Sequence, residues 1–377
     1  MYTPLHPGPA HQDRIMPPFK LTLLAHLVSF AALSSQALAQ VDFRGFGILP
    51  DASTSVAADV SADGRTVIGN MFTPTPQESW VIRWTFESGP ERLVEPPEFR
   101  SPIATAVSGD GSIIVGNTAR PPTPIVGFRW TAATGYVEQT SLEPSAISDD
   151  GAYEVGRSLI VGAPYRRSQA TGDYQLLGNS GTAAGVSSDG SIVVGNQSSL
   201  IPRGAWRWTE ETSQMEGLGA LPDNFATSIP QDVTPDGEVI VGGLQGGALN
   251  AAFRWTETGG YDLLASLAGS EGAFALGVAA DGRTIIGHSI FSDATCATIW
   301  LPDGSVHEME DYLASLGAEL SGWVLSSATG ISDDGLTIAG NGVNPDGIQE
   351  GWVVRIPSPG SGVLLCLLAL RSRRRSV

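Results

Sequence analysis

The sequence predicts an all-β protein, a seven-bladed β-propeller closed by an N-terminal strand that completes the last blade. Three observations predict it. One glycine-centred pattern recurs seven times along the chain. The recurrences lie 39 to 53 residues apart, the size of one four-stranded blade. Glycine (46) and proline (25) are abundant among 377 residues, which favours turns over helices.

The recurring pattern is a hairpin. Its copies are ADVSADGRTVIGN (58–70), TAVSGDGSIIVGN (105–117), SAISDDGAYEVGR (145–157), AGVSSDGSIVVGN (184–196), QDVTPDGEVIVGG (231–243), LGVAADGRTIIGH (276–288) and TGISDDGLTIAGN (329–341). Asp-Gly between two apolar runs is a short hairpin signal, because glycine accepts positive φ at low cost. The run after it, such as Ile113-Ile114-Val115, is short, continuous and β-branched, which fits a strand buried on both faces. The glycine after that run either stops the strand or admits neighbouring backbone.

A third strand follows in most copies: WVIRWT (80–85), GFRWT (127–131), AWRWT (205–209), AAFRWT (251–256), ATIW (297–300) and GWVVRI (351–356). Its Arg and Trp alternate with a period of two, so the Arg row and the Trp row point to opposite neighbours. Repetition in almost every copy assigns both rows to packing between blades. The third copy keeps only Ala163-Pro164-Tyr165-Arg166-Arg167, without its tryptophan. A turn and a fourth strand complete each unit, as in Tyr261-Asp262-Leu263-Leu264. The last unit stops at its third strand, while Phe43–Pro50 resembles an isolated fourth strand. Pairing the two would close the ring and remove an exposed sheet edge. Glu308–Leu320 interrupts the pattern with apolar residues at helical spacing, and predicts a short helix between blades six and seven that ends at Gly317.

The chain divides into 1–39, 40–356 and 357–377. The first segment reads as a signal peptide, with Arg14 and Lys20 before an apolar stretch and Ala37-Leu38-Ala39 as a cleavage site. Met16 is an alternative start. The last segment has a Pro-Ser-Pro-Gly motif, the apolar run Val363–Leu370 and Arg371, Arg373, Arg374 and Arg375. Its apolar run is too short for a stable span, so membrane contact through residues 363–370 would be transient. Without these ends the body holds 15 basic and 38 acidic residues, a net charge of −23. Such a surface repels nucleic acid and anionic membrane. The body contains Cys296 alone, since Cys366 lies in the tail, so no internal disulfide forms there.

The repeats, with their Ser-x-Asp-Gly hairpin and Ala-Phe-x-Trp strand, resemble the HAF-type extracellular repeat over about residues 43–356. The ending resembles a PEP-CTERM sorting tail, with Pro-Ser-Pro where that motif carries Pro-Glu-Pro. The resemblance implies secretion, a propeller-like fold, recognition by C-terminal sorting and processing machinery, and release or attachment at the cell surface. It implies no reaction.

Candidates for chemistry are few. The mature body has two histidines, His288 and His307, and no GxSxG elbow accompanies them. Seven aspartates precede the hairpin glycines: Asp63, Asp110, Asp150, Asp189, Asp236, Asp281 and Asp334. One carboxylate per hairpin falls short of the roughly six to eight oxygens calcium needs. Asp in such a turn bonds its own backbone, which accounts for it. No catalytic, metal or cofactor residue is therefore assigned, and no cofactor is expected. The expected function is an exported, non-catalytic propeller that binds or builds cell-surface or matrix material, with exopolysaccharide or other surface components as partners. The alternative is a secreted polysaccharide-active enzyme with carboxylates at the propeller axis, which an Asp, Glu or Tyr cluster outside the repeat pattern would support.

Overall fold

The computed structural model describes residues 40–358 apart from 75–77, 121–122, 198–203 and 247–248. The predicted signal peptide and the tail beyond Ser358 lie outside the described residues. The described residues form seven four-stranded antiparallel sheets, six of them simple meanders. Blades 1 to 6 span Thr54–Arg92, Arg100–Gln139, Leu142–Leu176, Thr182–Gly217, Thr227–Leu263 and Gly272–Glu308. Blade 7 takes three strands from Val324–Arg355 and its outer strand from Asp42–Gly45. That clasp pairs Asp42 with Arg355 and Gly45 with Trp352. The Phe46 N–H then donates to the Gly351 carbonyl at 2.7 Å, and the fully buried Phe46 ring stacks on Trp84 of blade 1. The predicted closure is therefore the one the chain makes.

The hairpins form for the reason the sequence gives. In six copies a Ser or Thr hydroxyl donates to the turn aspartate, as Ser61 does to Asp63 at 2.7 Å. The same carboxylate accepts the backbone N–H two residues on, as from Arg65 at 3.0 Å. The sixth copy has Ala279 in the serine slot, and Asp281 instead accepts the Thr284 hydroxyl at 2.7 Å. Each hairpin glycine has positive φ, 67° at Gly64 for example.

The second-strand glycine does not stop its strand, which runs two to four residues further, as in Val67–Phe72 beyond Gly69. Close backbone approach explains it. Every inner strand carries a bulge at the same place, between Ala57 and Asp59 in blade 1 and between Ala183 and Gly185 in blade 4. The bulge pushes a carbonyl oxygen onto the glycine opposite. A Cβ at Gly195 would collide with the Thr182 carbonyl and the Trp206 ring. Gly195→Ala should therefore cost about 3 kcal/mol, read as a drop in the urea midpoint. Gly217→Ala meets nothing within 4 Å and should stay within about 0.5 kcal/mol of the parent. Equal shifts in the two variants would refute this account of the repeat glycine.

Between blades the Arg and Trp rows divide as the alternation requires. The Trp255 and Trp300 indoles donate to Leu218 and Ala265 carbonyls at 2.7 Å, each at the end of the preceding blade. Arg166, Arg254 and Arg355 donate to the hairpin carbonyls of Gly190, Gly282 and Gly64 in the following blade. The predicted helix covers Met309–Ser315, and Gly317 ends it at φ 89°. Met309 and Leu313 are fully buried against Ile299, Leu325 and Trp352, so the helix seals the seam between blades 6 and 7.

Candidate functional site

The inner strands surround an axial cavity of about 200 Å³ that reaches the hairpin face. A backbone belt rims that face. N–H groups of blades 7, 1, 2, 3, 4 and 6 donate to hairpin carbonyls of the next blade: Asp333 to Ala62, Asp63 to Gly109, Gly109 to Asp149, Asp150 to Ser188, Ser188 to Pro235 and Ala280 to Asp333. Pro235 has no N–H to give to blade 6. There Asp232 bridges the seam. Its Oδ1 accepts the Val233 N–H at 2.8 Å and its Oδ2 accepts the Val278 N–H at 2.9 Å. Asp59 does the same between blades 1 and 2, accepting from Val60 at 2.8 Å and Val107 at 3.0 Å.

Four carboxylates thus line one cavity: Asp59, Asp149, Asp232 and Asp333. All four stand outside the repeat pattern. The slot of Asp59 and Asp232 holds Ala106, Ala146, Gly185, Gly277 and Gly330 in the other copies. The slot of Asp149 and Asp333 holds Ala62, Gly109, Ser188, Pro235 and Ala280. Burial pushes Asp59 up to about 6 and Asp232 up to about 7, against their backbone donors and with help from neighbouring carboxylates. Burial also raises Asp333 to about 6, with Asp149 and Asp334 adding repulsion. Asp149 is raised by burial as well, while a Ser188 hydrogen bond opposes the shift. These residues were not singled out from sequence. The signal was available in the departures from the repeat, but nothing local says which of them face the axis.

The residues that were singled out are placed as follows. The seven hairpin aspartates sit in their own turns. Asp110 and Asp189 are held below the usual carboxylate range by Ser112 and Ser191 respectively. His288 lies on the second strand of blade 6, stacked on Phe274 at 5.7 Å, and burial lowers its pKa. His307, on the outer strand of the same blade, has Nε2 3.0 Å from the Ser305 hydroxyl, which itself donates to Asp303 at 2.6 Å. Serine sits in the middle of that chain. Its proton is directed to the aspartate, so the histidine is not placed to withdraw it as a triad base would. Cys296 is a free thiol. Among the described residues no three His, Cys, Asp or Glu side chains are grouped to hold a metal ion. Among them, too, no helix is long and apolar enough to cross a membrane.

Blade 3 departs from the others in a correlated way. In blades 1, 2, 4, 5 and 6 an aliphatic residue on the second strand pairs with tryptophan on the third, as Val67 with Trp84 and Val193 with Trp208, and in blade 7 Ile338 pairs with Val354. In blade 3 the pair is Glu154 and Arg167. Glu154 is fully buried and accepts hydrogen bonds from Tyr165 (2.7 Å), Gln139 (2.7 Å) and Gln169 (3.2 Å). The missing tryptophan is therefore half of a two-position exchange that makes this seam polar.

No protein-family model matches the chain. No curated protein matches it either. Solved structures do. The chain is similar to an oligogalacturonate lyase in complex with manganese (12% identity, TM-score 0.56, covering 85% of this chain and 97% of that one). It is similar to the β-propeller domain of the Trilobed protease from Pyrococcus furiosus (11% identity, TM-score 0.55, covering 79% and 95%). An oligogalacturonate lyase from Vibrio parahaemolyticus is comparable (10% identity, TM-score 0.53, covering 85% and 98%). Similarity at these identities establishes the propeller fold.

Proposed function

We propose that this protein is an exported, non-catalytic propeller that serves as a binding or structural component of the cell surface or extracellular matrix. One observation carries the reading. Much of what recurs with chemical potential is engaged: Ser-Asp or Thr-Asp pairs in six hairpin turns, and Arg166, Arg254, Arg355, Trp255 and Trp300 in blade-to-blade bonds. What they produce is a closed, rigid ring, a scaffold on which variable positions can present a surface. The leader-like start and the sorting-tail resemblance supply the location. Fractionation of the host with intact-mass analysis tests it. The expected species begins near Gln40, ends near Pro359 and is found outside the cytosol. A full-length cytosolic species would refute it.

The axial carboxylates favour a second reading, a secreted enzyme acting on polysaccharide. Four acids outside the repeat share one cavity there, and three of them are raised to about 6 or 7, within reach of proton-transfer work. Incubation with acidic and neutral polysaccharides, followed by assay for new chain ends, decides this. Cleavage that disappears in Asp149→Asn and Asp333→Asn would replace the first reading with the second.

A further inference from the structure

We propose that the cleft between blades 5 and 6 binds a uronic-acid unit, a sugar ring that carries a carboxylate. This names a ligand class for the binding reading above and rests on that reading for the ligand's source. The cleft measures about 420 Å³, room for one or two sugar rings. Arg254 and Arg283 both line it. The Arg254 Nε donates to the Gly282 carbonyl at 2.7 Å, which fixes the guanidinium plane and leaves its terminal nitrogens without a hydrogen bond among the described residues. Arg283 is the next residue along the hairpin and is exposed. Arg254 and Arg283 thus bring two guanidinia to one cleft, and guanidinium is the donor group best matched to a planar carboxylate.

The other walls suit a sugar. Leu263, Leu264 and Pro302 give an apolar side for the C–H face of a ring, and Leu263 is 48% exposed there. Trp300 forms part of the floor, with its indole N–H already bonded to Ala265. Asp262 lies opposite Arg254 in the strand register and is exposed, a ready acceptor for sugar hydroxyls. Asp281 is occupied within its own hairpin, accepting from the N–H groups of Arg283 and Thr284 and from the Thr284 hydroxyl.

A paired arginine also occurs at the seam of blades 7 and 1, where Arg355 bonds Gly64 and Arg65 follows. That cleft carries Asp63, Glu87, Asp110 and Asp334 beside its arginines. Their charge offsets those arginines. In the cleft of blades 5 and 6 the two arginines meet one lining carboxylate, Asp262, with the charge of Asp281 beside Arg283, a smaller excess of acid than at the other seam. The surrounding body, at −23, repels long polyanions, so the ligand is a chain end or short stretch rather than a wrapped polymer.

Calorimetric titration of the purified protein with digalacturonate tests the assignment, with lactose and inorganic phosphate as comparison probes. Binding of digalacturonate is expected at roughly millimolar Kd or tighter, with none for lactose. Arg283→Glu alters an exposed side chain that makes no hydrogen bond among the described residues, and should weaken binding by about tenfold or more. Arg254→Lys keeps the charge but loses the fork and should weaken it several-fold, whereas Arg65→Glu in the other cleft should leave it unchanged. Absence of digalacturonate binding, equal binding by Arg283→Glu, equal affinity for lactose, or binding of phosphate alone would each overturn the proposal. A cytosolic protein that still binds digalacturonate would sink the surface role and spare the cleft. An extracellular protein that does not bind it would do the reverse.

Discussion

The protein should be more stable toward urea at pH 5 than at pH 8. Asp59 and Asp232 are raised by burial to about 6 and about 7 in the folded chain, against an ordinary value near 3.8. A folded state that holds protons the unfolded chain releases gains stability as pH falls. The contribution is fully lost once pH exceeds about 7, and it returns progressively below that as the axial carboxyls protonate. Each pKa unit corresponds to about 1.4 kcal/mol, so between pH 5 and pH 8 the two groups together are worth on the order of 4 kcal/mol. The hairpin aspartates work in the opposite direction. Asp110, Asp189 and Asp281 are lowered, so what they contribute is present above the ordinary carboxylate range and disappears as pH drops through it. The two sets together place the maximum near pH 5. Asp232→Asn should flatten the slope between pH 5 and 8 whatever it does to the baseline. A urea midpoint that is level or rises across that interval would contradict the axial assignment.

Removing the clasp should be the most damaging local change. Phe46 is fully buried between blades 7 and 1, against Ala57, Met71, Trp84 and Val353. Phe46→Ala should cost about 3 to 5 kcal/mol, the range for an emptied aromatic core site. Deleting residues 40–47 should do more, because it also leaves the strand Gln349–Arg355 without an outer partner. The Gly47 N–H bond to Glu350 at 2.8 Å would go with it. Such an edge is a template for pairing with another chain, so the truncated protein should aggregate on concentration. A synthetic peptide of residues 40–50 supplied in trans should restore the monomer. An unchanged urea midpoint in the truncated chain would show that the ring does not depend on its closure.

The blade count and the strand order were legible because each depends on neighbours in sequence, and the clasp because the last unit lacks a fourth strand that the segment 43–50 resembles. An Asp-Gly turn between apolar runs specifies its hairpin by backbone geometry, and seven copies of it specify a ring once the ends supply one missing strand. The helix at Met309–Ser315 was legible for the same reason, since its apolar spacing and Gly317 are local. The alternation of Arg and Trp showed that the rows face opposite blades, although not which row faces which.

The candidate site was not legible. Asp59 and Asp232 read as ordinary variants of a slot that holds Ala or Gly in five other copies. Their bonds to Val107 and Val278 cross to the next blade, over 48 and 46 residues. Glu154 needed its partners Gln139, Tyr165 and Gln169 in place before a buried carboxylate made sense. Arg254 and Arg283 lie 29 positions apart, and only the docking of blade 5 on blade 6 brings them to one cleft. Sequence by itself determined what each blade is, because hydrogen-bonded turns and period-two strands are short-range. The tertiary structure decided what the blades face, because burial, like-charge repulsion and the meeting of side chains from different blades exist only once the ring has closed.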